Sequence, residues 1–490
     1  MRSPRLHSSL VLCSLPALLV SAAASATPNN TSADAVLGQL LPSTKEANQG
    51  GVVGAANTMN GNRNITIDPV TGRLWVADTS NNRVLGFDSP ATFTNGQNAN
   101  VVLGQADFAG IQPNLGAVNP SEFSMTGPRS VAVDPQGRLY VADSSNFRIL
   151  RFDPPFTNGE AAVQVFGQPN FTTAVQNNGG TSATSLSNPD GIACDSQGNV
   201  YLADRNISRI LIFNTPATTD TTADVVLGQV NFTTSGGNNP GAVPTDSNLS
   251  MVISCFVDAN TNLYACDEGN NRVLLYTPPF TNGKAAVKVF GQLDFSTGNS
   301  NQGGISASSL FGPVGAAVDP ITGNLFIADP INSRILEYND PINGDRVADR
   351  VFGQLESFTT GTVNKGGVSA DSLNDVGGVA VDSLGNLYGS DRLNSRLLRY
   401  DAAPIDTNTN GTMDMNTNGT ADDTNTNNTM DSNTNGTPDN GDDGGMSGIT
   451  CGIFGICGAG LAGMAPVLLI GWAAMRRRFR AGRFSRRPSR

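Results

Sequence analysis

The chain has 490 residues, with 30 Lys and Arg against 41 Asp and Glu and a formal charge of −11. Ten of the cations sit near the ends (Arg2, Arg5 and eight arginines after Met475), so residues 27–475 carry −21, which excludes a nucleic-acid binder needing a basic patch for phosphates. The single histidine is His7, so the body has no imidazole for a Ser-His-Asp triad, a histidine base or a histidine-bound zinc.

Residues 1–26 read as a secretory signal. Arg2 and Arg5 form the basic start, Leu10 to Val20 a short apolar run, and Ala24-Ser25-Ala26 the cleavage signal. The run is too short to span a bilayer comfortably. Export is expected, with the body outside the cytoplasm.

Gly, Asn, Thr, Ser and Val are abundant beyond residue 26, as many short strands joined by turns require. Six units of about 62 residues recur. In each, a first strand leads to an Asp (Asp68, Asp134, Asp195, Asp258, Asp319, Asp382), and a Gly-, Asn- or Ser-rich turn comes next. A second strand ends at Asp78, Asp143, Asp204, Asp267, Asp329 or Asp391. Five residues on, Arg83, Arg148, Arg209, Arg272, Arg334 or Arg396 opens a third strand, and VLGQ or VFGQ supplies a fourth. One such sheet has two apolar faces and cannot bury them alone, whereas sheets packed around an axis bury both. The prediction is an all-β fold: a six-bladed β-propeller of four-stranded blades. The sixth unit ends at Tyr400 without its VxGQ strand, while an extra copy, Val36-Leu37-Gly38-Gln39, precedes the first. The N-terminal strand should therefore complete the last blade and make residues 34–401 one closed domain.

The pattern D-x-x-G-N-L-Y-x-A-D-x-x-N-x-R-[IV]-L-x-[FY], clear in DPITGNLFIADPINSRILEY (319–338), resembles the NHL repeat across about residues 34–401. The units are longer than usual, with the extra length between VxGQ and the next first strand, as at 177–191, 301–315 and 364–378. The resemblance implies a propeller that presents one face to a protein or polysaccharide, as a monomer with no cofactor. Six-bladed relatives also include amidating lyases, streptogramin lyases and calcium-dependent lactonases. The first two use histidine, and the inner-strand ends here carry no clear Glu for the third, so the chain is expected not to be an enzyme.

Six copies at one offset mark architecture. The repeated Asp can accept backbone N–H bonds, and the Arg can donate to that Asp and to loop carbonyls. Asn81, Asn146, Asn270, Asn332 and Asn394, three residues after the Asp, suit turn or left-handed positions; the third unit has Ile207 there. Function should lie where copies differ. The residue before the first strand, near the axis, is Arg63, Arg129, Asp190, Ile253, Val314 or Gly377. Arg63, Arg129 and Asp190 form the candidate ligand site, with an anion or partner loop at the two arginines. The plainer alternative is solvated loops with an internal ion pair. Cys255 and Cys266 could face each other on a hairpin, or fill Val and Ala positions as free thiols.

Residues 402–450 change character, with no Lys or Arg and much Asn, Thr, Gly and Asp. DTNTNGTMD (406–414), DMNTNGTAD (414–422), DTNTNNTMD (423–431) and DSNTNGTPD (431–439) resemble thrombospondin type 3 calcium loops, and more distantly the EF-hand. Oxygen-bearing side chains alternating around a Gly turn are what a hard cation needs. Candidate Ca²⁺ ligands are Asp406, Asn408, Asn410, Asp414, Asn416, Asn418, Asp422, Asp423, Asn425, Asn427, Asp431, Asn433, Asn435 and Asp439. Asn in place of Asp lowers ligand charge, so the expected affinity is weak; a plain polar linker is the alternative. Residues 451–475 form an uncharged segment long enough to span a membrane, and the arginines of 476–490 should stay cytoplasmic. The arrangement resembles tripartite bacterial sorting signals, with Cys451 to Cys457 as the recognition region; a single-span anchor is the other reading. A peptide covering 402–445 should give binding heat with millimolar Ca²⁺ in calorimetry, and a silent titration would identify a plain linker.

Overall fold

The computed structural model describes residue 28 and residues 30–403. The signal, nearly all of the stalk with its candidate Ca²⁺ ligands, the 451–475 segment and the arginine-rich tail lie outside the described residues. Among the described residues no helix is long and apolar enough to cross a membrane.

Each repeat folds into one antiparallel sheet, and the six sheets make a six-bladed propeller. The first blade comprises Ile65–Ile67, Leu74–Asp78, Arg83–Phe87 and Val101–Leu103, from axis to rim. The second strands are buried at every position because neighbouring sheets cover both faces. This explains why LWVAD or LYVAD shows no apolar–polar alternation.

The sixth blade takes its rim strand from the other end of the chain. Ala35–Leu37 pairs antiparallel with Arg396–Tyr400, placing Val36 opposite Leu398 and Leu37 opposite Leu397. Val36 packs with Phe352, Leu398 and Tyr400 toward the fifth blade. Ala35 and Leu37 pack with Met59, Ile65 and Leu85 toward the first. Burying side chains of this size contributes roughly 1.5–3 kcal/mol each, so a three-residue strand holds two blade interfaces together.

The VxGQ motif is only half strand. Each rim strand stops before the glycine, which adopts φ between 80° and 86°. A Cβ at Gly104 would lie 2.9 Å from Met125, and one at Gly228 2.5 Å from Leu249, so both conformation and space demand glycine. The glutamine then folds back: Gln105 Nε2 donates to the carbonyls of Asn82 and Gln112, and Gln292 Nε2 to those of Asn271 and Asn299.

The repeated Asp and Arg form one buried joint per blade. Arg Nε or Nη2 lies 2.6–3.2 Å from Asp Oδ2, with both side chains fully buried. The other Asp oxygen accepts backbone N–H bonds from the loop before the inner strand, such as Ser250 N at 2.6 Å. The guanidinium reaches two further segments: Arg272 donates to the carbonyls of Thr245, Asn248 and Phe295. Burial pushes each of these carboxyls up from its ordinary range, and the guanidinium and amide donors pull against it.

Of the two expectations for the Asn series the turn holds and the left-handed conformation does not: Asn81, Asn146, Asn270 and Asn394 each end a short 3-10 turn. The left-handed residue is the next one: Asn82, Phe147, Ser208, Asn271, Ser333 or Ser395. The Asn is held by its own amide, as when Asn81 Nδ2 donates to Asp78 Oδ2 at 2.8 Å. It also pairs reciprocally with an Asn of the preceding loop, as Asn81 with Asn48 and Asn332 with Asn301. Ile207 cannot do this, and its would-be partner Asn177 is left with a buried Oδ1 lacking a partner among the described residues.

The hairpin pairing of Cys255 and Cys266 does not occur. Cys255 lies opposite Ala265 and Cys266 opposite Ser254, so the pleat sends the thiols to different blade interfaces, and both are free. Burial pushes the Cys255 thiol up to about 12.

Replacing Arg272 by Met should strand Asp267 in the interior and cost about 3–5 kcal/mol of stability, read as a lower denaturant midpoint.

Candidate functional site

The inner strands bring the variable residues together. In the second, third, fourth and sixth blades the inner strand carries a β-bulge. Pro128 pairs with Asp143 and Ser130 with Ala142, leaving Arg129 unpaired; Asp190, Ile253 and Gly377 are displaced in the same way. A bulge re-aims the extra residue, here toward the axis. Arg63 and Val314 hold the corresponding places, with their N–H groups bonded to Ala77 O and Ala328 O. Four of these six positions thus lie within the inner strand and two, Arg63 and Val314, just before it, and all six line one constriction.

The constriction encloses about 10 Å³, room for one water at most. The backbones also crowd the axis: a Cβ on Gly377 would fall 2.9 Å from Arg63 Cα. Farther along the same strands lies a cavity of about 240 Å³ with no charged side chain in its lining, which includes Ile65, Val131, Ile192, Cys255 and Val379. Charge is therefore confined to the end where the inner strands begin.

Arg129 and Asp190 form an ion pair across the second and third blades. The Asp190 side chain is only 4% exposed, so the pair is partly desolvated. Arg205 and Glu268 pair at 2.7 Å, and Arg392 pairs with Asp375. Arg63 differs, having no ion pair and no side-chain hydrogen bond among the described residues. Burial pushes its guanidinium down to about 10; Asp190 pulls it back up, and Arg129 and Arg392 oppose that. The depressed value means the charged form carries a cost in the fold at neutral pH, relieved only as pH rises through about 10.

Arg205, Glu268, Asp375 and Arg392 were not among the residues expected here. They sit beside the repeated Asp or before the inner strand, at positions that vary between copies. That variation is the signal by which they could have been found. Among the described residues there is no cluster of three or more His, Cys, Asp or Glu able to hold a metal ion.

The NHL repeat family model matches residues 125–152, in the second blade. No curated protein matches the sequence. Solved structures with a similar arrangement include an auxiliary nutrient binding protein from Bacteroides thetaiotaomicron VPI-5482, at 11% identity over 75% of this chain and 76% of that one, with a TM-score of 0.47. Kuenenia stuttgartiensis hydrazine synthase is similar at 12% identity over 73% and 99% of the two chains, with a TM-score of 0.42. A catalytically inactive virginiamycin B lyase from Staphylococcus aureus is similar at 13% identity over 73% and 88%, with a TM-score of 0.39.

Arg63→Met should leave stability unchanged or raise it by about 1 kcal/mol, because it removes a desolvated charge without an ion pair. Asp190→Asn should lower it by about 1–3 kcal/mol, since Arg129 loses its charged acceptor. Thermal melts of the two variants at neutral pH check the opposite signs.

Proposed function

We propose that this chain is an exported binding propeller, tethered by its C-terminal segment, that captures an acidic group of a protein or polysaccharide at the end of the axis where the inner strands begin. The observation that carries this reading is Arg63. Its guanidinium is partly desolvated, has no carboxylate partner among the described residues, and stands beside a closed ion pair. A fold that holds a cation in this state is poised for an external anion, which would supply the missing countercharge in a low-dielectric setting. Sequence alone supports export and tethering: the basic-apolar-small pattern of residues 1–26 and the uncharged 451–475 segment before eight arginines. A lactonase- or lyase-type enzyme is the rival. The lyases that the repeat pattern resembles use histidine, and the only one here is His7.

Anion capture is testable by thermal shift. Sulfate or citrate should raise the melting temperature of the wild-type chain more than that of Arg63→Glu, by the mass-action stabilisation of a bound ligand. Equal shifts in both would be the general salting effect and would rule out the site.

A further inference from the structure

Arg63 faces the axis on one side and a second space on the other. A groove of about 430 Å³ runs outward from it across the seam between the first and sixth blades. Lys45 and Arg392 line it with Arg63, and three cations in one groove contrast with the −21 borne by residues 27–475. Glu46 also borders the groove, and Arg392 is held by Asp375, so the excess is local and small. Asn60, Ser80 and Asn374 also line it, and their side-chain amide and hydroxyl groups make no hydrogen bond within the described residues.

These features define a ligand chemistry. The volume falls in the range of sites that enclose a small organic molecule, about 300–1,000 Å³. No Trp, Tyr or Phe lines the groove, and Leu393 is its one large apolar side chain. Recognition must therefore run through charge and hydrogen bonds, with both donors and acceptors offered. A hydroxyl-rich ligand carrying an acidic group meets each requirement: the acid pairs with Arg63, and the hydroxyls engage the unbonded amides and Ser80. An apolar acid would leave those polar groups unmatched, and a neutral sugar would leave Arg63 without its countercharge.

We propose that the seam groove binds an acidic oligosaccharide of the uronic acid type, with a carboxylate on Arg63. The proposal rests on the anion-capture reading of Arg63 and names its substrate class. Lys45 is exposed, so its replacement leaves folding intact. The full chain in detergent is titrated calorimetrically with trigalacturonate, with neutral maltotriose and with inorganic phosphate. The expected result is saturable heat with trigalacturonate, none with maltotriose, and a loss of at least about tenfold in affinity for both Lys45→Glu and Arg63→Met. Equal binding of maltotriose, or trigalacturonate binding untouched by both substitutions, overturns the proposal. Phosphate binding that depends on Arg63 without trigalacturonate binding overturns the sugar class and leaves anion capture standing. Silence with all three ligands overturns both.

Discussion

The buried Asp–Arg pair is the interaction on which the propeller depends. Taking a guanidinium and a carboxylate out of water is costly, and it succeeds only when every donor and acceptor is met. Within its own hairpin, Arg272 finds only Asp267; its remaining bonds go to carbonyls of the loop that enters the blade and the segment that leaves it. A blade therefore cannot complete its charged joint until the chain on both sides has folded around it. The last blade shows this best, because Arg396 takes its final carbonyl from Pro42, next to the N-terminal strand. Closure of the ring is thus enforced by polar satisfaction as well as by the burial of Val36 and Leu37.

Much of this was legible in the sequence because it repeats. Six Asp–Arg offsets, five VxGQ motifs within the units and the displaced copy at Val36 define blade number and closure without any distance information. The errors came where a residue's partner lies far away in the chain. Asn81 sits in a turn as expected, but its side chain is also held by Asn48, 33 positions earlier, which no local pattern indicates. Gly-Gln looked like the end of a strand, but the glutamine serves the left-handed residue of its own blade's joint. The candidate site was legible as a set of positions and not as a set of interactions. Arg129 meets an acid only because bulges aim it and Asp190, 61 residues apart, at the same axis. Arg63 sits on an equivalent position with no such neighbour, and nothing local distinguishes the two arginines.

The same economy explains where variation is tolerated. The joint, the Gly-Gln turn and the second strand are buried and identical in role in each blade, so a change there disturbs packing on two interfaces. The residue where each inner strand begins, bulged in four of the six blades, meets its counterparts at the axis and escapes that constraint. Its six versions run from arginine through isoleucine to glycine. A symmetric scaffold thus yields an asymmetric end, charged beside the first three blades and apolar or bare beside the others.

The pairing of Ala35–Leu37 with Arg396–Tyr400 also orders events in time. The strand synthesised first must wait for the strand synthesised last; Gln39 and its acceptor Ser395 are 356 residues apart. No blade at the seam can be finished on a partial chain, and contacts of such long range are the slowest to form. Until Tyr400 has appeared, the first segment stays without its neighbour and the ring stays open. Five sheets draw on consecutive strands alone, so the chain can hold most of its blades and still lack its final shape until the two ends meet.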